Sequence, residues 1–201
     1  VKIAIGLVAG SLAAGPAPAA ELSADEIVAK NVAARGGLDA WRNVETMVWI
    51  GHIESAHTPM PVLQFQLEQK RPNKTRLEVV ALGEKSMRVF DGAHGWKLRG
   101  ARGRPEVRPY TPQELKFAQG AHGIDGPLVD HAARGSSVTL AGLEEIGGRK
   151  VYHLSVRPAK GGAEDVWVDA ETFLDVRYDR MAEGPARAAR RVSATYADYR
   201  D

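Results

Sequence analysis

The sequence contains no cysteine. That excludes disulfides, thiolate nucleophiles, cysteine-ligated zinc and a lipid anchor on an N-terminal cysteine. Charge of one sign is also lacking: 27 Lys+Arg against 25 Asp+Glu leave a net charge of +2, without the basic excess of a nucleic-acid-binding domain. No nucleophile elbow (G-x-S-x-G), Walker loop, GxGxxG, HExxH or H-x-H is present. The six histidines, His52, His57, His94, His122, His131 and His153, lack metal-ligand spacing. Only His122 and His131, which flank a Gly-Pro segment, suggest a meeting in space. Asp165, Asp169 and Glu171 cluster on one hairpin, where acids ordinarily serve the turn. The expectation is a protein that is not an enzyme and needs no cofactor and no metal.

With 201 residues, 44% hydrophobic and 26% charged, the chain is suited to one globular domain with a sizeable core. The opening stretch "VKIAIGLVAGSLAAGPAPAA" has one lysine, an apolar run from Ile3 to Ala14, and then small residues and prolines. The run falls short of the ~20 residues of a membrane span. Residues 1–19 are expected to be a signal peptide cleaved before Ala20, leaving 20–201 as the mature domain in the periplasm of a Gram-negative bacterium.

The mature chain begins with a strongly specified helix. Ser23 and Glu26 form a capping box, Leu22 and Ile27 a hydrophobic staple, and Gly36-Gly37 a stop. Leu38 to Asn43 adds a short turn carrying Trp41. From Val44 the period becomes two. Met47, Trp49 and Ile53 alternate with Val48, Ile50 and His52. Leu63, Phe65 and Leu67 alternate with Gln64, Gln66 and Glu68, and Leu77 and Val79 oppose Arg76 and Glu78. Next comes "VFDGAHGWKL" (89–98), in which Asp-Gly between two strand-like runs marks a tight turn, so that Asp91, Gly92 and Gly95 read as turn geometry. Four or five consecutive antiparallel strands are predicted here.

The basic stretch "KLRGARGRPEVR" carries Lys97, Arg99, Arg102, Arg104 and Arg108 and reads as a solvated surface loop, with contact to anionic headgroups as the alternative. Thr111 and Glu114 repeat the capping box, with Pro112 at the first helical position. "IDGPLVDHAARG" predicts a second short helix from Pro127 to Gly135. Strands resume at 138–140, 151–157, 165–168, 173–180 and 191–199. The order predicts an α+β domain on one meandering antiparallel sheet.

Four stretches, 24–47, 68–78, 89–96 and 125–156, resemble in order and spacing the LolA/LolB-type lipoprotein carriers, particularly the outer-membrane lipoprotein-sorting branch. The resemblance implies an incomplete antiparallel β-barrel whose concave hydrophobic cavity is covered by helices and binds acyl chains. On that reading Met47, Trp49, Leu63, Phe65, Leu67, Leu77, Val79, Met87, Val89 and Trp96 form the cavity wall, and Leu115 and Leu128 belong to the lid. Arg71, in "KRPN", matches the family's Arg-Pro-Asn arginine, implicated in holding the lid. The absence of cysteine favours the soluble carrier over the anchored acceptor. The implied partners are an acylated lipoprotein or lipid and membrane donor and acceptor proteins, with no nucleic acid, and the chain is expected to be a monomer. Relatives continue past "ATYADYRD", so the last strand is expected to have an open edge unless more chain follows or the sheet closes differently. A periplasmic lipid-sensing module of the same fold is the alternative, and a hydrolase using His122 and His131 is a third reading.

Overall fold

The computed structural model describes residues 22–54, 62–101, 104–121, 123–159, 161–183 and 189–199. The expected signal peptide and its cleavage site lie outside them. The chain opens with helices α1 (Ala24–Ala34) and α2 (Leu38–Arg42) and continues into strands β1 (Thr46–Glu54), β2 (Val62–Lys70), β3 (Lys74–Ala81), β4 (Glu84–Phe90), β5 (Gly95–Ala101) and β6 (Arg104–Pro109). Helix α3 (Pro112–Gln119) and a 3-10 turn (Gly123–Asp125) follow. Strands β7 (Ser137–Ile146), β8 (Arg149–Arg157), β9 (Glu164–Asp169), β10 (Asp175–Glu183) and β11 (Ala189–Thr195) complete the fold. All ladders are antiparallel. They form a six-stranded meander β1-β2-β3-β4-β5-β6 and a five-stranded one, β11-β10-β9-β8-β7. The fold is therefore α+β, an open half-barrel; the single sheet expected from the sequence is two, because the α3 segment interrupts the meander between β6 and β7.

Both capping boxes form as predicted. The Ser23 hydroxyl accepts from the Glu26 amide while Glu26 accepts from the Ser23 amide, and Thr111 and Glu114 do the same. Among the described residues the buried clusters sit on the second sheet, and the first sheet contributes the buried Phe90 of β4. Ile27 and Val28 of α1 pack with Leu128 against Leu154 and Val156 of β8 and Val166 and Val168 of β9. Alternation along β8 and β9 places these side chains on one face. Asn31 locks α1 in place: its amide donates to the Phe173 carbonyl at 2.8 Å and to Asp175 at 3.0 Å.

Several expectations are corrected. The stretch read as a basic surface loop is the β5–β6 hairpin. Pro105 and Pro109 obscure β6 in the sequence, and β6 tolerates them because it is an edge strand. Residues 127–135 form turns rather than a helix, since Asp130 takes a φ of 51°. Strand β7 runs to Ile146, beyond the predicted 140, across a register shift between Leu140 and Gly142 that breaks the alternation. Phe173, with φ 58°, belongs to the turn before β10. Gly92 does supply a turn at φ 105°, and Asp91 accepts from the Ala93 and His94 amides as expected. Gly95 has another reason to be glycine: a Cβ there would lie 2.0 Å from the Tyr110 ring.

This distribution of burial predicts unequal costs. Leu154→Ala, at a fully buried site, should destabilise by about 2–5 kcal/mol. Leu67→Ala, on the half-buried first sheet, should cost under about 1.5 kcal/mol. Urea unfolding of the two variants checks the difference.

Candidate functional site

The register of the first sheet defines two faces. On the inner face, which carries the contacts to α3 and to the second sheet, Trp49 pairs with Leu67 and Leu67 with Leu77; Gly51 pairs with Phe65 and Phe65 with Val79. Met47 and Leu63 occupy the same face. Seven of the ten expected wall residues, Met47, Trp49, Leu63, Phe65, Leu67, Leu77 and Val79, are thus contiguous. All are half-buried and none belongs to a buried core cluster. The Phe65 ring lies over Gly51, where a Cβ would come within 2.9 Å of it. Trp49 carries the wall toward the second sheet: its indole donates to Gln69 at 2.9 Å and its ring stands 5.5 Å from that of Tyr196. Burial pushes the Tyr196 hydroxyl up to about 12, with the Asp175 charge adding to the shift.

Met87, Val89 and Trp96 do not join this wall. Met87 pairs with Glu78 and Leu98, and Val89 with Arg76 and Trp96, which places all three on the outer face. There, with Leu98 and Val107, they line a shallow apolar groove of about 200 Å³, below the roughly 300–1,000 Å³ of a typical small-molecule site. Polarity therefore changes sides between β3 and β4. Along the row that continues Leu77, the inner positions on β4, β5 and β6 are held by Arg88, Lys97 and Arg108 in direct register, while Phe90, the next inner position on β4, is buried.

Arg71 stands at the end of β2 and joins three segments. Its Nε donates to the Val44 carbonyl at 2.8 Å and its Nη2 to the Trp41 carbonyl at 3.2 Å. Nη1 and Nη2 grip the Asp125 carboxylate at 2.8 and 2.7 Å. The guanidinium holds the Asp125 carboxyl below the usual carboxylate range. Two residues on, the Asn73 amide donates to the Ala118 and Gln119 carbonyls at the end of α3. The β2–β3 turn thus holds the exit of α2, the 3-10 turn and the C-terminus of α3.

Helix α3 buries none of its residues. Leu115 is half-buried, and Phe117 is exposed beneath Arg180, 4.9 Å from its ring. The helix is held by polar tethers instead. Glu114, already the capping-box acid, accepts from Lys97 at 2.8 and 2.9 Å and from Arg88. Partial burial alone would raise the Glu114 pKa, but Lys97, the Thr111 amide and Arg88 outweigh it and hold the carboxyl at about 2. Leu128, expected on the lid, is instead a core residue between α1 and the second sheet.

Of the hydrolase pair, His122 lies outside the described residues, and His131 has Nδ1 on the Leu128 carbonyl. His153 sits between Glu144 and Asp165 at 2.7 and 3.0 Å and stacks on Trp167. Asp169 accepts from the Glu171 and Thr172 amides, a turn role. Among the described residues there is no group of three or more His, Asp or Glu placed to hold a metal. No helix among them is long and apolar enough to cross a membrane.

No protein-family model and no curated protein matches the chain. It is similar in structure to a LolA superfamily protein from Nitrosomonas europaea, with TM-score 0.46 and 14% identity over 90% of this chain and 80% of that one. It is also similar to a DUF1329 family protein from Desulfovibrio piger, with TM-score 0.42 and 14% identity over 82% of each chain. A third similarity is to an outer membrane lipoprotein-sorting protein domain from Vibrio parahaemolyticus, with TM-score 0.39 and 13% identity over 84% of this chain and 80% of that one.

Two predictions follow from the tethers. The folded Glu114 pKa is depressed, so its contribution is present above the ordinary value of 4.5 and lost as pH falls toward about 2. The protection of α3 amides, relative to their intrinsic exchange rate at each pH, should therefore fall across that interval, and Glu114→Gln should show the lower protection already at neutral pH. Arg71→Leu should likewise speed exchange in α2 and at residues 123–125, while α1, held by apolar packing, stays protected; hydrogen-exchange mass spectrometry reads both.

Proposed function

We propose that this chain is a soluble carrier that binds the acyl chains of lipoproteins, or free lipids, on the inner face of β1–β3. One observation carries the reading: a contiguous, half-exposed apolar wall stands beside a cover helix with no buried residues. Contiguous exposed apolar surface is costly unless a ligand or partner uses it. Each CH₂ of an acyl chain gains ~0.8 kcal/mol on leaving water, so even a loose wall can hold one. Release requires an opening that breaks no packed core, and α3, tethered beside the wall by polar groups on β4, β5 and the β2–β3 turn, meets that condition.

The amino-terminal composition supports export, and on this reading the carrier works in the periplasm, passing cargo between donor and acceptor membrane proteins as a monomer. Binding and release need no covalent step, and on this reading the chain is not an enzyme.

The test is an apolar fluorescent probe displaced by acylated but not by unacylated peptide. Trp49→Asp should weaken probe binding by roughly tenfold or more, because it sets a charge in the wall. Ile50→Asp, the next residue on the same strand but on the outer face and 81% exposed, should leave binding unchanged. Equal effects of the two substitutions would remove the wall from the binding site.

A further inference from the structure

The inner face of the first sheet carries the apolar wall over β1–β3 and, on β4–β6, a row of cations beside the buried Phe90, which pairs with Thr75 and Gly95. Leu77 pairs with Arg88, Arg88 with Lys97, and Lys97 with Arg108, so the change of character occurs between adjacent strands. Strands lie ~4.8 Å apart, so the wall from β1 to β3 spans about 10 Å and the first cation stands one strand further. We infer that the cargo is an anionic amphiphile, its acyl chain on the β1–β3 wall and its phosphate or carboxylate head between Arg88 and Lys97. The inference rests on the acyl-binding reading and adds the class of headgroup.

Two features of the cation pair favour an exchangeable anion. Arg88 and Lys97 share a single carboxylate, that of Glu114, which leaves one positive charge in excess at the pair. The Lys97 side chain is only 16% exposed, and a cation so placed gains more from a second anion than one in open solvent. Glu114 is also a replaceable partner. Its Oε2 accepts from the Thr111 amide at 2.9 Å and meets the Thr111 hydroxyl at 3.2 Å, so a carboxylate displaced from the cations keeps its place in the capping box. An incoming headgroup takes over Arg88 and Lys97 without leaving the displaced acid unpaired. The same exchange removes the tie between the sheet and the N-terminus of α3, so cargo binding loosens the cover helix.

The experiment compares three dodecyl amphiphiles: dodecyl phosphate, laurate and the neutral dodecyl maltoside, each displacing the fluorescent probe from the full chain. A charge-assisted contact predicts that the parent prefers the phosphate or the carboxylate to the maltoside by about tenfold. Preference for phosphate alone identifies a phosphorylated head, and equal preference for both identifies any compact anion. Arg88→Gln and Lys97→Gln should bring the ratio toward one. Glu114→Gln, which removes the competing acid, should raise it, a change of opposite sign that a general loss of folding would not produce. Tight but equal binding of all three amphiphiles overturns the headgroup assignment alone. Binding of none overturns the acyl-chain reading together with it.

Discussion

Four hydrogen bonds from one guanidinium, that of Arg71, connect the exit of α2, the end of β2 and the 3-10 turn. The residues it joins are far apart in sequence, 27, 30 and 54 positions, and no packed apolar cluster among the described residues duplicates the link. Arginine suits the position because its rigid fork of donors can meet two carbonyls and a carboxylate together, whereas an ammonium would meet them as a point charge. Helix α3 is tied separately, to β4 and β5 through Glu114 and to the same β2–β3 turn through Asn73. The β2–β3 turn that begins with Arg71 also presents Asn73 to the end of α3, so the one turn carries both joints.

Packed core and open apolar surface are divided between the two sheets. The second sheet holds the buried core with α1, where Ile27, Leu154, Val156 and Val168 are closed off from water. The first sheet relies on its backbone ladders and on ion pairs; its wall residues on β1–β3 stay half-buried, and Phe90 on β4 is its buried apolar side chain. Burial of apolar area is the main favourable term in folding, so an unfilled face is retained at a cost. On the proposed acyl-binding reading, the face that takes the ligand belongs to the part of the molecule with fewer buried apolar contacts, as local opening requires. The outer face of the second sheet is occupied in another way. Trp167 is capped by the stacked His153 ring and by Arg177, and its indole donates to Glu144, which closes that surface with polar groups.

The legible part of the fold was the part governed by local rules. Capping boxes at Ser23 and Thr111 and the period-two runs of β1, β2 and β3 depend on neighbours three residues away or fewer, and each formed. Arg71 was legible through its Arg-Pro-Asn context, although its acidic partner Asp125 was not. Met87, Val89 and Trp96 show the limit. Their alternation has the right period, but period does not say which phase faces inward; the register with Glu78 and Arg76 decides that, and register is a long-range property. Strand β6 was hidden by prolines that an edge strand tolerates. The second role of Glu114 was hidden because Lys97 and Arg88 lie 17 and 26 residues before it, and its capping role already accounted for its presence.

The change of polarity between β3 and β4 explains why the wall stays open. Had the inner face remained apolar across all six strands, a helix with an apolar stripe would pack flush against it, as α1 does on the second sheet, and the contact would become core. Inner cations at Arg88 and Lys97 prevent that and receive α3 through Glu114 instead. The Arg88–Glu114 pair, with Arg88 45% exposed, is of the kind that contributes ~0–1 kcal/mol, against about 1.5–3 kcal/mol for each fully buried Leu or Phe. A helix fixed by ion pairs and side-chain amide bonds, with none of its residues buried, can therefore move without disturbing the packed core of the second sheet.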